Sequence, residues 1–306
     1  MLCDKNRSAR FVLTFLMAIG LILCLGQSLW AKDISGMLHV PDSGKTQILT
    51  LNDGSTLTGK ITKVNVDSIA FTTQMGEMTI SIDKIVEIKE VASSSFKGGK
   101  FWFPNPNQTR LYLSPTGRML KKGQGYFSDL LLFFPSVSFG VTDNITLGGG
   151  VSLFPGVDID KQLYYLIPKI GFNAGKNVAI AGSVLIMRIP GFDDDGFDTP
   201  KSMGIVFGTC TIGGEDNSFT FGVGHGYVGD EFAESPAVLV GGEYRIARRL
   251  SFVSENWKFP DVDNPLISYG LRFFGESISV DLALFNVLSE DFFFPGIPMV
   301  GFIWNF

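Results

Sequence analysis

Residues 266–285 read LISYGLRFFGESISVDLALF, two runs of alternating character on either side of a Gly-Glu-Ser turn. In the first run Ile267, Tyr269, Leu271 and Phe273 face one way, and Ser268, Gly270, Arg272 and Phe274 face the other. In the second, Ile278, Val280, Leu282 and Leu284 oppose Ser279, Asp281, Ala283 and Phe285. A period of two means extended strands, because successive side chains of an extended chain point to opposite faces of a sheet. One face is bulky and apolar with aromatic ends; the other is small, polar or charged. In a soluble sandwich the second face would meet water and carry Lys, Glu and Thr. Gly, Ala and Ser prevail instead, the pattern of a strand standing between lipid and a lumen. Residues 236–246 repeat it, with Val238, Val240, Tyr244 and Ile246 set against Ala237, Leu239, Glu243 and Arg245.

Working outward from this pair, the stretch 109–306 is expected to hold twelve strands, at 109–115, 124–141, 145–154, 163–173, 178–189, 203–213, 217–227, 236–246, 249–259, 266–275, 277–286 and 298–306. Most have the length of about 9 to 11 residues that a tilted strand needs to cross a bilayer. Short links at 142–144, 174–177, 214–216, 247–248 and 276 alternate with longer ones at 155–162, 190–202, 228–235, 260–265 and 287–297. Transmembrane barrels have short turns on the periplasmic side and longer loops outside, so the expected fold is an all-β, antiparallel transmembrane barrel of about twelve strands. Two places strain this reading. Residues 124–141 are too long for one strand and contain Pro135, which fits a bend, an extension beyond the membrane or two separate elements. Glu255 inside and Trp257 outside cannot both hold without a bulge. The count is therefore ten or twelve.

The rest of the chain fits export. Lys5, Arg7 and Arg10 precede an apolar run from Phe11 to Leu25, and small Ala31 follows, so residues 1–31 read as a cleaved secretory signal. An uncleaved anchor and a lipoprotein attached through Cys24 are the alternatives. Removal of the signal leaves Cys210 as the only thiol and allows no intramolecular disulfide; a lone thiol of this kind is expected to be a small buried hydrophobe. Of 306 residues 45% are apolar and 18% charged, which excludes a disordered chain. A net charge of −5 with 2 His and no basic cluster excludes nucleic acid as a partner. Residues 45–90 form a Thr-rich alternating module with strands at 46–51, 55–64, 67–74, 77–82 and 85–89. Residues 91–108, rich in Ser, Gly and Pro around Phe101-Trp102-Phe103, read as a linker.

Two resemblances sharpen this. The chain ends with Val300, Phe302, Trp304 and Phe306 at spacing two, which resembles the assembly signal of bacterial outer-membrane β-barrels; the resemblance implies the outer membrane as location, with outer-membrane lipid and the barrel-assembly machinery as partners. The stretch LNDGSTLTGKITKVNVD, with Leu51, Asp53, Gly54, Gly59 and Asp67, resembles the first signature of the Sm/SH3-like barrel family, implying a small bent barrel over 45–90. In an exported chain with its lysines interleaved among acids, that module is expected to be a periplasmic interaction module with an unknown partner.

No constellation of catalytic, cofactor-binding or metal-binding residues is expected, and no enzyme. His225 falls in phase with Phe219, Phe221 and Val223 on the lipid side, where it would anchor at the interface. The acidic loops, with Asp158 and Asp160, Asp193, Asp194, Asp195 and Asp198, Asp230, Glu231 and Glu234, Asp261 and Asp263, and Glu290 and Asp291, match no defined calcium loop. Glu243, Arg245, Arg272 and Asp281 are expected to form a charged belt in the lumen. The expected function is a passive pore for small solutes. The rivals are a structural or adhesion barrel plugged by residues such as 91–108, and a soluble periplasmic β protein.

Overall fold

A computed structural model describes residues 35–188, 202–260, 262–287 and 295–306. The proposed signal, the acids at 193–198, Asp261, Glu290 and Asp291 lie outside the described residues. The chain divides at Phe103/Pro104 into two compact units.

The first unit is a five-stranded antiparallel sheet of β1 (Lys45–Leu51), β2 (Thr56–Val64), β3 (Ser68–Thr73), β4 (Gly76–Ser81) and β5 (Ile85–Ala92), in the order β4-β3-β2-β1-β5. Leu49, Ile61, Ile69, Phe71 and Ile88 form its core. Gly59 on β2 lets β3 pass close by, since a Cβ there would lie 2.1 Å from the Thr72 carbonyl oxygen. The buried Gln47 side chain is engaged at both ends, accepting from the Ile61 amide at 2.9 Å and donating to the His39 carbonyl at 3.0 Å. Lys45 at one edge of β1 reaches Glu90 of β5 at 2.6 Å. A two-rung hairpin, β6 (Phe96–Lys97) and β7 (Lys100–Phe101), follows, its rings of Phe96 and Phe101 5.6 Å apart.

The second unit is a closed ring of twelve antiparallel strands. They are β8 (Gly125–Leu130), β9 (Phe134–Thr142), β10 (Ile145–Val151), β11 (Tyr164–Gly175), β12 (Val178–Arg188), β13 (Ser202–Gly213) and β14 (Asn217–Val228), then, past a two-residue strand β15 (Glu231–Phe232) that adds to β14, β16 (Ala237–Ala247), β17 (Leu250–Lys258), β18 (Leu266–Phe274), β19 (Ile278–Val287) and β20 (Ile297–Asn305). Pairing of β20 with β8 closes the ring, so no edge is left open. The first and last strands reach the same end of the barrel, the end with the short turns.

Alternation sets the two faces. Along β16 the side chains of Val240, Tyr244 and Ile246 are exposed outward, while Leu239, Glu243 and Arg245 are buried inward; β18 and β19 follow suit. His225 is exposed beside Phe221 and Val223. Cys210 lies between inward Thr209 and Thr211 and so faces outward, half-buried, rather than into a core.

The strand count agrees with expectation although its membership does not. Residues 109–115 form no strand; only a single bridge joins Arg110 and Pro115. The run 124–141 is two strands, β8 and β9, joined by a hairpin whose central residues Leu131 and Leu132 have φ of 57° and 65°. No Gly or Asn marks this turn, which is why the sequence reads straight through it. The ladders hold it from both sides, through the Leu131 amide to the Val300 carbonyl (2.8 Å) and the Leu153 amide to the Phe133 carbonyl (2.7 Å). The other ten strands start and end within three residues of the expected positions. No bulge interrupts β17 against β18: Trp257 faces inward with Glu255, in the same phase.

Candidate functional site

The interior is occupied by the chain's own residues 105–120. Expected partly as linker and partly as a first strand, this segment folds into a compact loop inside the ring. It is tied to itself by the Leu111 amide to the Ser114 carbonyl (2.8 Å), the Thr116 amide to the Thr109 carbonyl (3.0 Å) and the Thr116 hydroxyl to the Gln108 carbonyl (2.7 Å). Gly117 lets it run against the wall, since a Cβ there would stand 2.2 Å from the Ala179 carbonyl oxygen. Its amide donates to the Thr211 hydroxyl at 2.8 Å.

Glu255 is the main anchor. Its carboxylate accepts from three successive backbone amides, those of Tyr112 (2.8 Å), Leu113 (2.9 Å) and Ser114 (3.2 Å to Oε1), from the Ser114 hydroxyl, and from the Trp257 indole N–H at 3.0 Å. Hydrogen bonds to a carboxylate of this kind are the stronger ones. In the sequence this residue stands out only as a breach of alternation.

Arg272, fully buried, forms the second anchor. It sits directly opposite Asp281 in the β18–β19 ladder and binds it twice, through Nε at 2.7 Å and Nη2 at 2.9 Å. Nη1 reaches Glu243 of β16 at 2.9 Å, and Nη2 also donates to the Leu111 carbonyl at 2.7 Å. From the inserted loop, Arg110 adds a bond to Asp281 (3.0 Å), Asn105 one to Glu243 (2.6 Å) and Asn107 one to the Ser279 hydroxyl (2.6 Å). Glu243, Arg272 and Asp281 thus meet in one network. The Arg245 guanidinium binds Asp216 at 2.8 Å near the short-turn end, 5.0 Å from the Phe274 ring centre.

Leu111 and Tyr112 pack against Leu239, Val253, Trp257, Ala283 and Met299, making a small core between the loop and strands β16–β20. The opposite side is less filled. A cavity of about 350 Å³ lies between the loop and β8–β12, lined by Thr109, Arg110, Tyr126, Ser128, Thr146 and Lys169 among others. A second, of about 630 Å³, lies beyond Leu113 and Pro115 toward the long-loop end. Lys169 on β11, which sequence reasoning did not single out, is buried there with its ammonium on the Thr109 carbonyl (3.4 Å) and the Arg118 carbonyl.

Val300 and Phe302 project outward from β20, and the rings of Trp304 and Phe306 lie 5.2 Å apart. Phe306 exchanges two backbone hydrogen bonds with Gly125, both 2.9 Å, at the closing seam. Among the described residues no group of three or more His, Cys, Asp or Glu is placed to hold a metal ion.

No family model matches the chain, and no curated protein matches it. Among solved structures it is similar to the KdgM porin, determined in complex with disordered oligogalacturonate, at 7% identity over 60% of this chain and 95% of that one, with a TM-score of 0.40. It is similar to OmpT, an outer membrane protein of Vibrio cholerae, at 12% identity over 88% of this chain and 100% of that one (TM-score 0.33). The outer membrane protein Omp33 of Acinetobacter baumannii covers 60% of this chain and 95% of its own at 9% identity, with a TM-score of 0.34.

Proposed function

We propose that this chain is a non-catalytic outer-membrane protein, a narrow pore for small solutes whose resting state is plugged by residues 105–120. The even ring of strands, apolar outside and polar or charged inside, supports the membrane setting. The N-terminal signal and the alternating terminal aromatics support export to the bacterial outer membrane through the assembly machinery. In this reading the short turns lie on the periplasmic side, and the five-stranded unit is a periplasmic module. Its strand order and its LNDGSTLTG turn support an Sm/SH3-like interaction module.

One observation carries the plugged reading: the Glu255 carboxylate holds three consecutive amides of the loop, an arrangement no aqueous channel lining requires. The test is conductance in a planar bilayer. The wild-type barrel should conduct weakly, and Glu255→Ala, which leaves the amides of 112–114 without their acceptor, should open it. A wild type that conducts as a wide open channel, with no change in the variant, would overturn the plug. A variant that stays closed favours the permanently plugged structural barrel.

A further inference from the structure

Along β12 and β13 the inward positions change character partway. Toward the short-turn end they are Ala179, Ala181 and Ser183 on β12, and Thr209 and Thr211 on β13; toward the long-loop end they are Leu185 and Met187, then Met203, Ile205 and Phe207. The second group lines the cavity of about 630 Å³, together with Trp257. A water-filled lumen gains nothing from such a surface, and a packed core leaves no space of this size. Gly226, which pairs with Ile205 in the β13–β14 ladder and faces inward with it, keeps the volume open.

The polar side chains of this chamber are already engaged. The Trp257 indole N–H donates to the Glu255 carboxylate at 3.0 Å, the Ser114 hydroxyl donates to the same carboxylate, and the Tyr227 hydroxyl donates to the Leu185 carbonyl at 3.4 Å. Its one charged residue, Glu231, is exposed. Among the described residues, none that lines it carries a buried side-chain polar atom without a hydrogen-bond partner. The adjoining cavity of about 350 Å³ differs, since Arg110 Nε, Asp129 Oδ1, Thr109 Oγ1 and Thr146 Oγ1 are all unpaired there. Donors and acceptors stand together in it, a mixture that suits water and selects no charge. The larger chamber therefore offers a ligand apolar contact and no polar bond.

We infer that the chamber of about 630 Å³ binds small, uncharged molecules that are mainly hydrocarbon, such as a single aromatic ring or a short alkane. Such a molecule gains by leaving water and asks for none of the hydrogen bonds that the lining has already spent. An ion of either sign would lose its hydration there without compensation. A dry apolar cavity of about 150 Å³ already takes up benzene, and the flexible thioethers of Met187 and Met203 adapt to ligands of different shape. The inference rests on the membrane-barrel reading above and names a ligand class for it.

The experiment uses the full-length protein in phosphatidylcholine vesicles with a small, uncharged aryl diazirine, illuminated and mapped by mass spectrometry. Adducts on inward Met187, Met203 and Ile205 should saturate with dose and be displaced by toluene, but not by benzoate or benzylammonium at equal concentration. Adducts on outward Ile186 and Val206 report the bilayer alone and should rise in proportion to dose. Gly226→Phe should remove the inward set and leave the outward one; a Cβ at Gly226 has room, its nearest neighbour being the Gly204 carbonyl oxygen at 3.7 Å. Ile205→Thr, which introduces a residue type the inward wall already carries at Thr209 and Thr211, should raise the half-saturating dose about tenfold. Outward labelling without saturable inward labelling overturns the site and leaves the membrane barrel standing; no labelling of either set overturns the barrel reading itself. Inward labelling that appears only after deletion of residues 190–200 gives the chamber to the chain's own loop and overturns the site as well. Displacement by benzoate or benzylammonium overturns the ligand class, as does inward labelling by a phospholipid with the diazirine on its acyl chain.

Discussion

Glu255 and Arg272 show how charge is kept inside this barrel. Taking an ion out of water costs several kcal/mol after relaxation, repaid only where partners use all its hydrogen-bonding capacity. Arg272 has three acceptors, Asp281, Glu243 and the Leu111 carbonyl. Arg272→Met removes the shared cation and leaves two buried carboxylates facing one another, so it should cost about 3 to 5 kcal/mol in urea unfolding from liposomes. The triple replacement Arg272→Met, Asp281→Leu and Glu243→Met should cost clearly less. Equal losses would mean that the network is not held by charge. Leu282 and Ala283 read the two faces of one strand. Leu282 is exposed outward, so Leu282→Arg should cost about 2 to 4 kcal/mol in lipid. Ala283 lies in the core beneath Leu111 and Tyr112. Ala283→Arg should overpack that core, at about 1 to 3 kcal/mol, and raise conductance by dislodging the loop, whereas Leu282→Arg should leave conductance unchanged.

At the scale of elements, the β8–β9 hairpin holds the non-glycine residues with positive φ among the described residues. Each non-glycine residue in the left-handed region costs roughly 1 to 2 kcal/mol, and here two are adjacent. Leu130 pairs with Phe134, so the loop has three residues; replacing its two left-handed ones, Leu131-Leu132, with Asn-Gly, a pair that tolerates positive φ at both positions, should raise the urea midpoint in detergent. No gain would show that Leu131 and Leu132 stabilise this turn by burying their side chains. In the five-stranded unit, Lys45 and Glu90 strap β1 to β5. The hydrogen bond from Lys45 holds the Glu90 carboxyl below its ordinary range, and Glu90 raises Lys45 above its own. A depressed carboxyl adds stability above its unfolded pKa and loses it as pH falls through the folded value; a raised ammonium loses it as pH rises through its folded value. Protection of β1 and β5 amides in hydrogen exchange, corrected for intrinsic rates, should therefore be greatest near neutrality and fall on the acid side. In Glu90→Gln the acid step should vanish. A step of unchanged size in that variant would assign it to other carboxyls.

For the whole molecule, closure depends on one seam. β8 is the shortest strand of the ring at 6 residues, and it meets β20 through five paired positions. Phe306 adds two more hydrogen bonds, and its ring lies where a side chain at Gly125 would be, 2.6 Å from the Cβ position. Deleting Phe306 should lower the yield of heat-modifiable, folded barrel far more than the loop change Asp194→Ser. Similar yields from the two would remove both the seam and the assembly signal as reasons for the terminal aromatic.

The inside and outside of the wall are legible in the residue order alone, because period-two alternation is a local property: it assigns Leu282 to lipid and Asp281 to the lumen whatever strand lies beside them. The same locality explains the errors. Residues 109–115 alternate as a strand does, yet their amides find Glu255 instead of a neighbouring strand, more than 140 positions along the chain. Leu131 and Leu132 look like the middle of a strand, and only the ladders on both flanks force them into a turn. Glu255 and Trp257 look inconsistent on the assumption that a large aromatic faces lipid. With a loop filling the lumen, the interior is itself partly a core, and Trp257 belongs there. The sequence by itself therefore determined the faces of this protein and the strand period that makes them. What occupies the lumen was decided by tertiary structure alone, since it depends on which backbone groups the closed ring brings within 3 Å of a buried carboxylate.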